Sequence, residues 1–374
     1  MKKICYVVTI SQTIRAFFIP QLRYLAENGF DVTIICSLDD SLQEMIGKNI
    51  KYIPIEIPRG ISIIKSIVAI RKLKRVFREE QFDLIQYSTP NAALYASIAA
   101  KSVKCKIRNY HLMGFRYLGS RGIGRTVLKA IEKFTCRNST SIECVSISNI
   151  DIGIRDGIFS KEKVTVVWNG STGGVDIERF NISNRNLFRE EIRNKYQIKN
   201  DEFVYGFVGR ITKDKGVNEI LEAFQSINGT KLLMIGNPEG VNTLNQELYQ
   251  KSLRDTRITY TGNVDNVEKY FAAIDVLLLP SYREGFGNVV IEAAAMGTPA
   301  IISDIPGPID AVNPGVSALI VPVHNVVSLL EAMDRIRIID YKKMGYESNK
   351  YATAHFDSKL LCKKILERKE VFFE

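Results

Sequence analysis

Two short stretches of this 374-residue chain combine residue types that could bind and act on a phosphorylated ligand. The first is Pro280-Ser281-Tyr282-Arg283-Glu284-Gly285-Phe286-Gly287-Asn288-Val289-Val290-Ile291-Glu292-Ala293. A buried strand ends at Pro280, a loop with Gly285 and Gly287 follows, and helix formers begin near Asn288 and run to Met296. Such a helix start turns backbone N–H groups and the positive end of its dipole toward a ligand, which suits an anion. Glu284 stands in the loop and Glu292 about one turn inside the helix. The same pattern also describes a solvated loop and helix with two ordinary surface glutamates, and spacing alone does not separate the two. The second stretch is Gly209-Arg210-Ile211-Thr212-Lys213-Asp214-Lys215-Gly216, directly after the apolar run Phe203 to Val208. Arginine offers a planar fork of donors and lysine a compact point charge, so a strand-end loop holding both suits a diphosphate. It is not a Walker loop, because the G-x-x-x-x-G-K-[ST] pattern is absent. Taken alone, it reads equally well as a solvated basic turn.

Elements that would position these loops alternate along the whole chain. Ile4 to Ile10, Val32 to Cys36, Tyr52 to Ile55 and Leu84 to Tyr87 read as strands, with Gln21 to Glu27 and Ile63 to Arg78 as intervening helices. After Val164 to Val167 comes a glycine-rich break, Asn169 to Gly174, and a polar segment rich in Asn and Arg, which we read as a linker. The rhythm restarts with Phe203 to Val208, Lys231 to Ile235, Ile258 to Tyr260, Val276 to Leu279, Ala300 to Ser303 and Ala318 to Val321. This predicts an α/β protein of two Rossmann-like parallel-sheet domains, 1–170 and 171–356, facing across a cleft at the carboxyl ends of their strands. A helix within 357–374 is expected to cross back to the first domain.

Composition narrows the partners. Residues 1–180 carry 27 Lys and Arg against 16 Asp and Glu, a net of +11, and the remaining 24 and 25 leave −1 for the rest. A one-sided field of this kind points to something anionic: nucleic acid, a phospholipid surface or a diphosphate-linked substrate. The six cysteines are scattered with no C-x-x-C pair, which argues against a zinc knuckle or redox pair and fits a reducing compartment. Met1-Lys2-Lys3 precedes only seven mostly apolar residues, too few for a secretory segment, and no run approaches the roughly 18 apolar residues of a membrane span. The expected location is cytoplasmic, with any membrane contact peripheral, on the inner face of the cell membrane.

Four motifs in order across the linker and the second half resemble those of the retaining glycosyltransferases of glycosyltransferase family four, which have the GT-B fold. Glu284 and Glu292 stand in an E-x7-E pattern, Arg210 and Lys215-Gly216 in a G-R-x4-K-G pattern, and Pro280-Ser281 in P-S-x-x-E. Gly174-Val175-Asp176 with Phe180 is similar to the G-V-D-x-x-x-F linker signature, in the longer form of bacterial surface-polysaccharide enzymes. The resemblance implies that Arg210 and Lys215, beside Gly209, grip the donor diphosphate and stabilise charge as the sugar leaves. It implies that Glu292 holds the ribose, that Glu284 with the backbone of Phe286, Gly287 and Asn288 orients the sugar, and that the backbone at Val264 meets a base, uracil in most members. Tyr110-His111-Leu112-Met113-Gly114-Phe115-Arg116-Tyr117, after a strand ending near Asn109, resembles the loop where many members carry a histidine near the reacting sugar. A satisfied structural role suits His111 equally. The first strand-to-helix loop, Thr9-Ile10-Ser11-Gln12-Thr13, lacks the double glycine that members often have there. His324 and His355 lie outside every motif and read as bland.

The expectation is thus a transferase of hexosyl or N-acetylhexosaminyl groups from a nucleotide sugar, UDP-linked for preference, to a lipid-linked or oligosaccharide acceptor. It needs no metal and no resident cofactor: D-x-D and clustered His, Asp or Cys ligands are absent, so Arg, Lys and the helix dipole take the place of a cation. Two basic stretches, Ile61 to Arg78 with Lys72 and Arg75, and the cluster Arg116, Arg121, Arg125, Lys129, Lys133 and Arg137, could face the acceptor or an anionic membrane. Alternatively, they are solvated faces of sheet-covering helices. A nucleic-acid-binding protein would share the basic half but leaves the two loops unexplained, so nucleic acid is not an expected partner. A nucleotide-sugar hydrolase or epimerase of the same fold is the enzymatic alternative, while a dehydrogenase is disfavoured by the absence of G-x-G-x-x-G.

Overall fold

The structure, a computed structural model, describes residues 1–60 and 62–374; Ile61, the first residue of the basic stretch 61–78, lies outside the described residues. The chain divides into two units, Met1–Gly173 with Ser358–Glu374, and Gly174–Asp357. The first contains β1 (Lys2–Val7), β2 (Phe30–Cys36), β3 (Ile50–Pro54), β4 (Leu84–Tyr87), β5 (Ile107–Leu112), β6 (Ser141–Cys144) and β7 (Val164–Val166), in the order β3-β2-β1-β4-β5-β6-β7. The second contains β8 (Phe203–Val208), β9 (Thr230–Ile235), β10 (Ile258–Gly262), β11 (Val276–Leu279), β12 (Ala300–Ser303) and β13 (Ala318–Val321), in the order β10-β9-β8-β11-β12-β13.

Every neighbouring pair is parallel. Helices cover both faces of such sheets, so the central strands are apolar without alternation, as in Val276-Leu277-Leu278-Leu279, all buried. In each unit the chain enters at a middle strand, builds to one side, then returns to build the other. The switch in strand order therefore falls between β1 and β4 and between β8 and β11, and open α/β sheets take ligands at the carboxyl edge of such a point.

Several boundaries differ from the sequence reading. Strand β1 ends at Val7, and Ser11 already begins the helix Ser11–Phe17. Strand β5 runs through Tyr110 and His111 to Leu112, because these residues pair with Ile142, Glu143 and Cys144 of β6. Residues 171–173 pack with the first unit and do not open the second: Ser171 N donates to Val145 O (2.7 Å) and Gln21 Nε2 to Thr172 O (2.9 Å).

The polar Asn- and Arg-rich segment is not an open linker throughout. It folds into the helix Arg185–Lys195, whose Arg193 is fully buried. Its guanidinium donates to the carbonyls of Ala273 (3.0 Å), Lys199 (2.8 Å) and Glu202 (2.9 Å) and pairs with Asp275 (2.8 Å). Asp275 in turn accepts from Arg189 and from Val204 N, so this buried charge cluster is closed on itself. The C-terminal helix Ser358–Glu370 belongs to the first unit, where Leu361 and Ile365 join the core around Ile14, Leu22 and Leu25. Its Lys369 is buried and donates to Gln86 Oε1 (2.7 Å) on β4 and Glu143 Oε2 (2.8 Å) on β6.

Candidate active site

In the second unit the loops after β8 and β11 meet. Gly209 leaves β8 with its N–H on Ile235 O (2.9 Å), and Ile211 N donates to Asn237 O (2.9 Å). Gly216 sits in the left-handed region (φ +73°), and a Cβ there would lie 2.1 Å from Pro280 O. Only glycine lets the two loops approach so closely. Tyr282 N then donates to Asp214 O at 2.9 Å. This backbone contact brings Lys215 to Glu284, and Lys215 Nζ stands 2.6 Å from Glu284 Oε1 with both side chains largely buried.

Arg210 is about half exposed, 4.0 Å from Asp214 and 4.0 Å from Glu239. Asp214 also accepts from Thr212 Oγ1 (2.5 Å) and pairs with Arg283 (3.2 Å). Burial works to raise the Asp214 carboxyl, yet the Thr212 hydroxyl and the nearby Arg283 and Arg210 hold it below its ordinary range. The cations Arg210, Lys215 and Arg283 are thus matched by carboxylates.

Farther along, Phe286 is buried edge-on against Phe356 (5.3 Å), and Gly287 (φ +90°) precedes the helix Asn288–Ala295. A loop that the sequence reading did not single out closes on this one: a Cβ at Gly307 would lie 2.6 Å from Gly285 O. Its Gly307-Pro308 pair signals a turn, but nothing in its spacing tells where the turn packs. Val264 lies partly buried in the loop after β10. Glu292 is partly buried within its helix, and burial pushes its carboxyl up to about 7, opposed by Arg179 and reinforced by Glu268. Arg179 comes from the Gly174-to-Phe180 turn, whose Asp176 accepts from the backbone of Glu178 and Arg179, and it pairs with Glu268 at 2.8 Å.

The remaining expected residues belong to the first unit. His111 is on β5, not in a loop, and is nearly buried, edge-on to Phe18 (5.6 Å) with Nε2 3.4 Å from Thr172 Oγ1. Burial lowers it to about 4, opposed by Glu143 and assisted by Lys369, so the ring is neutral at pH 7. Arg116 is exposed on the turn Arg116–Gly119. Lys72 and Arg75 project from the helix Ile63–Glu80, where Arg75 pairs with Glu79 (2.8 Å). All six cysteines are buried, and no group of three metal-binding side chains occurs among the described residues.

The family model for Glycosyltransferase Family 4 matches residues 21–179, and that for Glycosyl transferases group 1 matches residues 188–351. The chain belongs to these glycosyltransferases. It is 29% identical over 371 residues to a capsular polysaccharide biosynthesis glycosyltransferase of Staphylococcus aureus, covering 97% of this chain and 96% of that one. It is 23% identical over 365 residues to the UDP-Gal:alpha-D-GlcNAc-diphosphoundecaprenol alpha-1,3-galactosyltransferase of Escherichia coli, covering 95% and 92%. The solved structure of Anabaena HepE in complex with UDP aligns with a TM-score of 0.80 at 18% identity, over 99% of this chain and all of that one. The fold is GT-B, and the two parallel sheets are those expected of it.

The raised carboxyl of Glu292 in this glycosyltransferase gives a prediction for stability. A carboxyl whose folded value lies above its unfolded value of about 4.5 stabilises the fold below that pH, and the advantage is lost as pH rises toward about 7. Glu292→Gln is therefore expected to stabilise the ligand-free protein at pH 8 by about 1–3 kcal/mol relative to wild type, with the difference gone near pH 4.5. Paired thermal or urea unfolding at the two pH values measures it, and a pH-independent difference would contradict the assignment.

Proposed function

We propose that the protein is a retaining, metal-independent glycosyltransferase that moves a sugar from a UDP-sugar to a polyprenyl-diphosphate-linked acceptor during surface-polysaccharide assembly. The observation that carries this reading is the Lys215–Glu284 pair beside Arg210, at the switch point between β8 and β11. It supplies cations for a diphosphate and a carboxylate for a sugar within one pair of loops. Glu292 accepts from the ribose hydroxyls, and Val264 offers backbone to the uracil. The acceptor hydroxyl attacks C1 on the face from which the diphosphate departs. As the new C1–O bond forms and the C1–diphosphate bond breaks, the hydroxyl proton passes to the departing phosphate oxygen.

Arg210 and Lys215 stabilise the charge that develops on that phosphate, an electrostatic task that a bound cation performs elsewhere. The capsular relative and the diphosphoundecaprenol-using relative support the acceptor class, and the UDP complex of the Anabaena protein supports the donor class. A screen of nucleotide sugars by thermal shift, followed by transfer to a lipid-linked acceptor, tests the reading. Release of free sugar in place of a transferred one would favour the hydrolase alternative. Transfer is expected to persist in EDTA; loss on chelation, restored by Mg²⁺ or Mn²⁺, overturns metal independence.

The first unit is proposed to work as a cytoplasmic, peripheral protein on an anionic membrane. No helix of the described residues is long and apolar enough to cross one. The start of the helix Ile63–Glu80 exposes Ile63 (74%) and Ile64 (78%) next to Lys65, and the helix Gly122–Asn138 exposes Ile123 (85%) between Arg121 and Arg125. Apolar side chains ringed by cations suit a lipid surface, each cation contributing about 1 kcal/mol near an anionic leaflet. In co-sedimentation the protein should pellet with anionic vesicles at low salt, and much less at high salt or with neutral vesicles. Equal pelleting with both, or with neither, contradicts membrane docking.

A further inference from the structure

Three side-chain links hold the loop after β8, with the helix Val217–Gln225 that follows it, to the loop after β11: Lys215–Glu284, Asp214–Arg283, and Tyr282–Glu219. In the third link the Tyr282 hydroxyl donates to Glu219 Oε1 at 2.6 Å. Glu219 lies in the first turn of that helix, four residues after Lys215, and Tyr282 lies two before Glu284. The loop after β13 adds His324, whose ring lies on Tyr282 (centroids 3.7 Å apart) and whose Nδ1 is 3.9 Å from the same Glu219 oxygen. The other oxygen, Glu219 Oε2, is buried with no hydrogen-bond partner among the described residues. A buried carboxylate oxygen left without a partner is costly, so its retention here asks for a reason.

The links differ in what a donor would do to them. Two depend on cations, and a diphosphate, with more charge than one carboxylate, competes for both. The phenol–carboxylate link holds no cation, so the charge of a diphosphate exerts no comparable pull on it. We propose that Tyr282, Glu219 and His324 are positioning residues that keep the β11 loop, and with it Glu284, in place once the donor diphosphate has drawn Lys215 away. This inference rests on the nucleotide-sugar reading above. Glu284 is then free to meet the sugar without the loop swinging outward, while His324 covers the bond from the third loop.

The test uses the full-length protein with UDP as the probe, reading UDP affinity by calorimetry and amide hydrogen exchange of residues 282–287. Tyr282→Phe keeps the ring on His324 and removes the hydrogen bond. It should leave exchange in the ligand-free protein unchanged, lose most UDP-induced protection of the loop, and weaken UDP by about tenfold. Glu219→Leu should behave alike, whereas Glu219→Gln, which keeps an acceptor oxygen, should stay within about threefold of wild type. Wild-type affinity and protection in Tyr282→Phe overturn the proposal. So does a loop that already exchanges faster without ligand, because that marks a purely structural role. If wild type binds none of UDP, GDP and ADP, the nucleotide-sugar reading itself fails, and this inference with it.

Discussion

Lys215→Ala is expected to lower turnover by about 10²–10³-fold, the effect of losing one preorganised group aimed at developing charge, worth about 2.7–4 kcal/mol. Lys215 is largely buried between the two loops, so its charge acts with little screening by water. The substitution has a second consequence, because it leaves Glu284 without its 2.6 Å partner. Arg210 is half exposed and has only long contacts with Asp214 and Glu239, so Arg210→Ala should cost less than Lys215→Ala. Steady-state transfer kinetics with a saturating acceptor measure both. Near-wild-type turnover in Lys215→Ala would remove the lysine from the proposed chemistry, and equal losses in the two variants would contradict the ranking by burial.

Arg193→Ala is expected to destabilise the second unit by about 3–5 kcal/mol, the cost of breaking a buried ion pair by removing one partner. The change takes a donor from the carbonyls of Ala273, Lys199, Asn200 and Glu202, of which Ala273 keeps Arg189 and Lys199 keeps the Glu202 N–H, and it leaves Asp275 with Arg189 and Val204 N. For a unit of this size the midpoint of thermal unfolding should fall by roughly 10 °C. Arg193→Lys should recover only part of the loss, since an ammonium cannot reproduce the planar fork that reaches several acceptors at once. Calorimetry resolving the second unit's transition is the measurement, and a loss below about 1 kcal/mol would show that the cluster contributes little net stability.

Local chemistry in the sequence was enough to determine the parallel α/β class and most strands of the second unit, while the resemblance to the family marked the two loops proposed to hold the donor. The reason is physical: a strand buried on both faces needs an unbroken apolar run, and Val276 to Leu279 can be little else. Arg210, Lys215, Glu284 and Glu292 stand out through the G-R-x4-K-G and E-x7-E patterns, to which the resemblance gives a meaning that spacing alone does not. What their spacing could not tell is that Lys215 and Glu284 are each other's partners, since 69 residues separate them and the contact depends on β8 and β11 being neighbours. Only the tertiary structure decided that Arg193 and Lys369, written in sequence like surface cations, are buried against Asp275 and Glu143. The same holds for His324, which looked bland until three loops brought it onto Tyr282, and for His111, which pairing with β6 draws into the sheet. In each case an isolated polar residue has no periodicity to announce its partner; the partner comes from a distant strand or loop, and only folding sets the distance between them.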